Sequence, residues 1–370
     1  MAESPRQKVI RSIQVRISNG SYWPRMRLPS EAGLAAEFEV SRGTVRNALN
    51  DLVKSGGVEL KPNKGYFVPD APQVPFPRER HMVFILPEET RKPGNHYLAG
   101  IEEVASEAEV NLKVVFLRDN PDRLDTVIEQ LKSPGYVGAV LLPRQCPDFY
   151  DYNIRLIRKF SFADINHVVI DSPVCSGGII HSNFVGCDGF SASREIVDHL
   201  LEAGHRRIAT IQVFPGIYSS DARAEGVREQ LQRHGILQPP EYCMEVEKDQ
   251  LLRGQGRRRI RELMALPEPP TAVICSHDDL AFNVIDELHR MNLRVPEDLS
   301  VVGFDDMEIA SLLDLTTVAQ PFREIGKRAT EILLENCSGT GKPLRQEFLP
   351  CRLVQRNSVA FLNRKCGNVV

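Results

Sequence analysis

Val295-Pro296-Glu297-Asp298-Leu299-Ser300-Val301-Val302-Gly303-Phe304-Asp305-Asp306 is the most informative stretch of this 370-residue chain. Its middle, Ser300 to Phe304, is a short apolar run of strand length, and an acid pair follows it directly. In open α/β sheets ligands sit outside the carboxyl ends of the strands. Asp305 therefore reads as a candidate ligand contact, with a structural cap of its own turn as the competing reading.

Working outward, the same grammar recurs. Short apolar runs lie at His81 to Leu86, Leu112 to Leu117, Gly138 to Leu142, Val168 to Ile170, Arg207 to Ile211 and Thr271 to Cys275. The segments between them carry helical periodicity, as in Leu98, Ile101, Val104, Ala105 and Ala108. Alternation of strand and helix predicts parallel sheets covered on both faces. His277-Asp278 follow the Thr271 to Cys275 run, and Arg223 lies in a helix after the strand that ends near Val213. A strand-end carboxylate or imidazole can bond a hydroxyl-rich ligand, and a guanidinium offers a rigid fork of donors. Asp278 is expected to cap its helix. A loop histidine is the competing reading of His277. Asp171 and Asp188 are further candidates.

The first seventy residues are of another kind. They hold eleven Lys or Arg against seven Asp or Glu, a charge of +4, whereas the whole chain carries -3 and the remainder therefore -7. A basic small module on an acidic large one points to a nucleic-acid partner for the first. Arg6 to Ser18 places Val9, Ile10, Ile13 and Ile17 on one face, Ser30 precedes a helix over Ala32 to Phe38, and Ser41 precedes another over Arg42 to Ser55. Two short helices joined by a tight turn form a helix-turn-helix. Arg42, Thr44 and Arg46 lie on the first turns of the second helix, where such side chains reach phosphates and guanine edges. Val58-Glu59-Leu60 and Tyr66-Phe67-Val68 flank a basic tip containing Lys61 and Lys64, which predicts a two-stranded wing.

Four prolines between Val68 and Pro77 mark a linker. The chain is 42% apolar and 26% charged, with no apolar run long enough to span a bilayer. Met1 to Lys8 is polar and has no signal-like apolar core, so a cytoplasmic location and no membrane partner are expected. Eight scattered cysteines without a Cys-x-x-Cys pair read as reduced structural thiols. The common hydrolase, zinc-protease and phosphate-loop motifs are missing, and His277-Asp278-Asp279 lacks the further ligands a metal would need. No catalytic residue, metal or cofactor is expected. A sugar-processing enzyme with a DNA-binding head is the alternative from another class, and turnover of the ligand would distinguish it.

Two resemblances sharpen this reading. Arg27-Leu28-Pro29-Ser30-Glu31, Leu34-Ala35, Val40-Ser41-Arg42-x-Thr44-Val45-Arg46-x-Ala48-Leu49 and Gly65-x-Phe67-Val68 resemble the GntR-family winged helix over its whole length. That resemblance implies DNA contacts at Arg42, Thr44 and Arg46, with Lys64 and Gly65 on the wing. Ala32 departs from it, since an arginine usually follows the Ser-Glu. The opening stretch, with Leu315-Thr316-Thr317-Val318, Gln320-Pro321, Ile325-Gly326, Leu353-Val354-x-Arg356-x-Ser358, His199-Leu200-Leu201-x-x-Gly204-His205-Arg206 and Ser220-x-x-Arg223-x-x-Gly226, resembles the sensor domain of the LacI/GalR family. This implies a bilobed periplasmic-binding-protein-like fold, and ligand contacts at Arg223, His277, Asp305, Gln320 and Phe322. His277 stands where asparagine is usual, Ala192-Ser193 where a Gly-Gly pair is common, and Asp314 where proline is common.

The expected protein is α/β: a winged helix over 1–69, a Pro-rich linker over 70–79, a sensor over 80–363 with two parallel sheets flanked by helices, and a tail over 364–370. The expected function is transcriptional regulation, as a repressor of double-stranded operator DNA. A small-molecule effector, expected to be a sugar, sets the operator affinity of a homodimer.

Overall fold

Two serines decide where the second and third helices begin. The fold comes from a computed structural model that describes residues 4–18, 21–70, 80–87, 91–117, 121–133, 135–176, 179–213, 215–246, 254, 256–337 and 343–362. The 71–79 part of the expected linker and the 364–370 tail lie outside the described residues. After α1 (Pro5–Ser18), Ser30 Oγ accepts the Gly33 N–H at 3.1 Å and starts α2 (Glu31–Phe38). Glu39 turns the chain with φ +56°, and Ser41 Oγ accepts the Thr44 N–H at 3.1 Å to start α3 (Arg42–Lys54). Each cap satisfies an amide that the helix itself leaves open. Val9, Ile13, Ile17, Leu34, Val45, Ala48, Leu49 and Leu52 converge with Leu28, Val58 and Val68 in one core. β1 (Glu59–Lys61) and β2 (Gly65–Phe67) pair antiparallel with Lys61 opposite Gly65, whose φ of +99° suits only glycine at the tip.

The larger part begins with β3 (Arg80–Pro87), α4 (Arg91–Glu107), β4 (Val110–Leu117), α5 (Pro121–Leu131), β5 (Tyr136–Leu141), α6 (Tyr150–Phe162) and β6 (His167–Asp171). The hairpin β7 (Cys175–Ser176) and β8 (Ile179–Ile180) leads to β9 (Asn183–Cys187). A second unit follows: α7 (Gly189–Glu202), β10 (Ile208–Gln212), α8 (Tyr218–Arg233), β11 (Cys243–Glu245), α9 (Arg257–Met264), β12 (Ala272–Cys275), α10 (Asp278–Arg290), β13 (Ser300–Val302), α11 (Glu308–Leu312) and β14 (Thr317–Ala319). The chain then returns through α12 (Phe322–Asn336) and β15 (Gln346–Leu349) and ends on β16 (Arg352–Val354).

These strands form two parallel sheets, ordered β15-β9-β6-β5-β3-β4 and β11-β10-β12-β13. Residues 82 to 86 are buried without a break because both faces are covered. Met82, Phe84 and Leu86 join the core under α4 and α12, and Val83 and Ile85 join the core under α5 and α6. The second sheet divides likewise: Val273 and Cys275 face one core, Ala272 and Ile274 the other. Every strand read from the sequence is present. The strands not read, β7 to β9, β11 and β14 to β16, are two to five residues long and most carry polar residues or glycine, so no apolar run announced them.

Two lobes result because the chain crosses between the sheets three times, at 187–189, 319–322 and 349–352. A two-stranded antiparallel ladder, β14 with β16, ties two of these crossings together. The first lobe closes where α4 meets α12. A Cβ added at Gly100 would lie 1.9 Å from the Arg323 carbonyl oxygen, and one at Gly326 would lie 2.2 Å from that of Tyr97. α7 and α8 meet the same way: Ala192 and Ser193 are buried, and the glycine that permits close approach is Gly226 on the opposite helix. Asp314 is equally explained, since its φ of +51° is closed to proline and its carboxylate accepts from Asn357 Nδ2 at 2.6 Å. Gly100→Ala is expected to force α4 and α12 apart and to destabilise the protein by about 1–3 kcal/mol. Urea unfolding checks this, and an unchanged midpoint would show that the helices have room to move.

Candidate functional site

In the head, α3 presents Arg42 and Arg46 to solvent on its first two turns, with Thr44 between them. Thr44 Oγ1 lies 2.8 Å from Ser41 Oγ, so the cap orients it. Arg46 is not idle. Its Nε lies 3.0 Å from Glu31 Oε1 and its Nη2 2.7 Å from Glu31 Oε2, a bidentate pair that also receives the Tyr66 hydroxyl at 3.4 Å. The hydrogen bond from Arg46 holds the Glu31 carboxyl below its ordinary range. Arg46 remains 62% exposed, so the pair sits at the surface and is worth little net stability. Lys64 is exposed at the wing tip, and Arg27 packs against the open face of Gly65.

In the larger unit, β12 and β13 are neighbours, with Ile274 opposite Val302, so Ser276-His277 and Phe304-Asp305 leave adjacent strand ends. Arg223 reaches both from α8. Its Nη1 donates to the Ser276 carbonyl at 2.6 Å and stands 3.6 Å from Asp305 Oδ1, and its guanidinium carbon lies 3.8 Å from the centre of the Phe304 ring. Gln320, on the second crossing, donates from Nε2 to Asp305 Oδ1 at 2.6 Å. Asp305 adopts φ +114° and Asp306 +55°, backbone that a non-glycine residue holds only when its surroundings impose it. The imposing contacts are the Asp305 N–H to the Val318 carbonyl at 2.8 Å and Arg356 Nη2 to Asp306 Oδ1 at 2.7 Å.

The first lobe supplies the facing wall. The buried Tyr97 hydroxyl donates to Asp171 Oδ1 at 2.6 Å, and Phe322 meets the Tyr97 ring edge-on at 5.1 Å. Burial pushes the Asp171 and Asp305 carboxyls up; Arg223 acts against this at both. Arg223 Nε and Gln320 Oε1 are buried with no hydrogen-bond partner among the described residues. A donor and an acceptor left open between two lobes are what a polar ligand would satisfy.

The expected cap at Asp278 is corrected. His277 is the N-cap, its Nδ1 accepting the Leu280 N–H at 3.0 Å, which leaves the ring proton on Nε2. Asp278 is fully buried instead. Its Oδ2 accepts the Met307 N–H at 2.8 Å and its Oδ1 the Thr317 hydroxyl at 2.6 Å, tying α10 to the turn that carries Asp305. Asp188, the other acid considered, caps α7 by accepting the Ser191 N–H at 3.0 Å.

Arg223, Asp305 and Gln320 thus meet directly, with His277 and Phe322 flanking them. A neighbouring cavity of about 220 Å³ between the lobes has other walls: Arg144, Asn153 and Ser172 from the first lobe, Tyr218 and Asp221 from the second. Sequence reasoning missed these residues, although Arg144 and Ser172 follow β5 and β6 and the strand-end rule would have reached them. Tyr97 was missed because it sits on a helical apolar stripe and reads as core.

Residues 5–68 match the gntR family of bacterial regulatory proteins, and residues 197–359 match the periplasmic binding protein-like domain. The head is a GntR-type winged helix, and the larger unit is periplasmic-binding-protein-like. CytR, an HTH-type transcriptional repressor of Escherichia coli K12, is 34% identical over 180 residues, 48% of this chain and 52% of that protein. The chain spans about half the length of this first curated relative. The arabinose metabolism transcriptional repressor of Halalkalibacterium halodurans is 25% identical over 88% of this chain and 87% of its own. These relatives are named as repressors and not as enzymes. Among solved structures, a CelR–cellobiose complex superposes with a TM-score of 0.65 at 22% identity, over 90% of this chain and 100% of that one. A LacI-family regulator of Enterococcus faecium with bound ribose gives 0.62 at 23%, over 77% and 100%. Among the described residues no helix is long and apolar enough to cross a membrane.

Burial pushes Asp278 up to about 7. Between the ordinary carboxylate range and that value the native state holds more protons here than the unfolded chain does. Stability therefore falls as pH rises through this window and levels off above it. Asp278→Asn is expected to flatten that decline by on the order of 3 kcal/mol between pH 4 and 8. Urea midpoints of both proteins across this range check it; parallel profiles would place the ionisation elsewhere.

Proposed function

We propose that this chain is a sequence-specific DNA-binding repressor whose operator affinity is set by a small polyhydroxy effector, a sugar or sugar derivative, bound between the two lobes. The observation that carries the effector site is the junction of Arg223, Asp305 and Gln320, with a buried open donor and acceptor between the lobes. Arg223 and Asp305 would take vicinal hydroxyls, Gln320 and the His277 Nε2–H would add one bond each, and Phe322 would cover an apolar face. The names of the relatives support the repressor reading, and the cellobiose and ribose complexes support the ligand class.

The head, 1–69, would bind double-stranded DNA as one half of a cytoplasmic homodimer, joined by 70–79 to the sensor over 80–363, with 364–370 as a tail. Two heads suit a two-fold operator. Arg42 and Thr44 would contact the backbone, and Lys64 and Gly65 would follow the minor-groove side on the wing. Arg46 would exchange Glu31 for a guanine edge, trading one bidentate acceptor for another. Effector binding would shift lobe closure and so the spacing of the heads, by no more than its differential affinity for the two states.

Operator fragments selected from random duplex DNA and assayed by gel shift test the first half. Binding is expected to weaken steeply between 50 and 200 mM salt, as ~6–10 released counterions would require. Arg46→Ala is expected to cost about 1–3 kcal/mol on the selected operator and to relax its sequence preference. A loss of no more than a few tenths would leave Arg46 as Glu31's partner only.

A thermal-shift screen of sugars and sugar derivatives tests the second half, because a ligand of the native state raises its stability. Arg223→Ala is expected to weaken the identified ligand by roughly 1.5–3 kcal/mol while operator binding is retained. Asp305→Asn should weaken it more than it lowers the melting temperature. Unchanged affinity in both variants would move the site to the cavity lined by Arg144 and Asp221.

A further inference from the structure

The wing of the head has a third member besides its two strands. Before α2 the chain runs through residues 25–28 alongside β2. The Leu28 N–H donates to the Tyr66 carbonyl, the Val68 N–H to that of Met26 and the Arg25 N–H to that of Val68, each at 2.9 Å. Arg27 thereby stands opposite Phe67, and Phe67 stands opposite Glu59 on its other side. Side chains alternate between the two faces of such an array. Leu28, Val58 and Val68 enter the core of the head, and Tyr66 packs against it. Arg27, Glu59, Lys61, Gly65 and Phe67 therefore share the outer face.

The two cations of that face are not alike. Lys61 is engaged: its Nζ lies 3.5 Å from Glu59 Oε2 and 4.9 Å from the centre of the Phe67 ring. Arg27 is exposed, and among the described residues its side chain has no hydrogen-bond or ion-pair partner. Its direction is nevertheless set. Gly65 stands two residues nearer the turn than Phe67, and Arg27 Nε and Nη2 lie 3.5 and 3.7 Å from where a Cβ on Gly65 would be. The guanidinium thus lies on bare backbone and leans toward the tip, where Lys64 is exposed. A cation held in one direction, with no acid to meet it, suits an acceptor-rich partner outside the chain.

We propose that Arg27 enters the minor groove of the operator beside the wing and makes the protein select A·T pairs there. The inference rests on the proposed reading of the head as an operator-binding domain. With the first turns of α3 in a major groove, the wing meets the minor groove about five base pairs away, half a helical turn. On that side A·T pairs offer only acceptors, adenine N3 and thymine O2. G·C pairs add the guanine amino donor, for which a guanidinium has no acceptor. A·T tracts also narrow the groove and strengthen its negative potential. Arginine suits such a groove better than lysine, because its planar head is more weakly hydrated. Lys64, an ammonium at the tip, is left to a phosphate. Sequence preference then has two sources, Arg46 in the major groove and Arg27 in the minor.

The test uses the full chain and an operator selected from random duplex DNA. The pairs under the wing lie about five base pairs from those at which Arg46→Ala relaxes the preference. There A·T is replaced by G·C and, separately, by inosine·cytosine, which keeps the G·C major-groove edge but lacks the minor-groove amino group. The expected result is about tenfold weaker binding to the G·C duplex and recovery with inosine·cytosine. Arg27→Ala should bind all three duplexes alike, with a salt slope lower by about one. Arg27→Lys should keep the slope and lose most of the discrimination. Arg46→Ala should bind more weakly and keep the discrimination. Both Arg27 variants should melt as the unaltered protein does, since the side chain is exposed. Equal binding of the unaltered protein to the A·T and G·C duplexes overturns the inference without any variant, and so does discrimination that survives in Arg27→Ala. Neither result touches the repressor reading. That reading falls if the chain selects no sequence at all, and the role of Arg27 falls with it.

Discussion

A guanidinium buried between two lobes sets the terms for the rest of this structure. Removing a charge from water is costly unless a counter-charge and further hydrogen bonds meet it. Arg223 is met by the Asp305 carboxylate, the Ser276 carbonyl and the face of Phe304. Asp305 can serve only from a left-handed backbone, and a chain of contacts through Asp278, Thr317, Met307 and Arg356 maintains that backbone. The open Nε of Arg223 is what remains after these demands are met. Stability and recognition thus draw on the same few side chains.

The three crossings bear on how such a cluster would respond to the proposed effector. Each lobe has its own sheet, buried on both faces and locked by close helix contacts at Gly100, Gly326 and Gly226. Any movement of one lobe against the other would therefore fall on the short segments between them. Gln320 lies on one of these segments, and Cys187 and Cys351 lie on the other two. On the proposed function, a group bound to Arg223 and Asp305 on one side and to the Asp171 wall on the other would act directly on these segments.

The head shows a related economy. Glu31, the first residue of α2, holds Arg46 of α3 and meets the Tyr66 hydroxyl from the wing. One carboxylate thereby orients α3 against both of its neighbours. Because Arg46 is largely exposed, exchange of Glu31 for another acceptor costs little.

Much of this was legible in the chain itself. Strand-length apolar runs, helical stripes and serine caps depend on neighbours within a few residues, so the head, the alternating sheets and the strand-end position of Asp305 could be read directly. Arg223 and Gln320 were reached through family resemblance. The cap fell to His277 rather than Asp278, because a capping rule sees only the local turn, whereas Asp278 is claimed by Met307 and Thr317, about thirty to forty residues on. Tyr97 had no local signal beyond its place on an apolar helical stripe, whereas Arg144 follows a strand end and was within reach of the strand-end rule. Cys187 and Leu349, far apart in sequence, stand opposite one another only because β15 returns to pair with β9. Local sequence determined which elements form and where they start. Tertiary structure alone decided which polar groups share one buried space, since that depends on where the chain crosses from one sheet to the other.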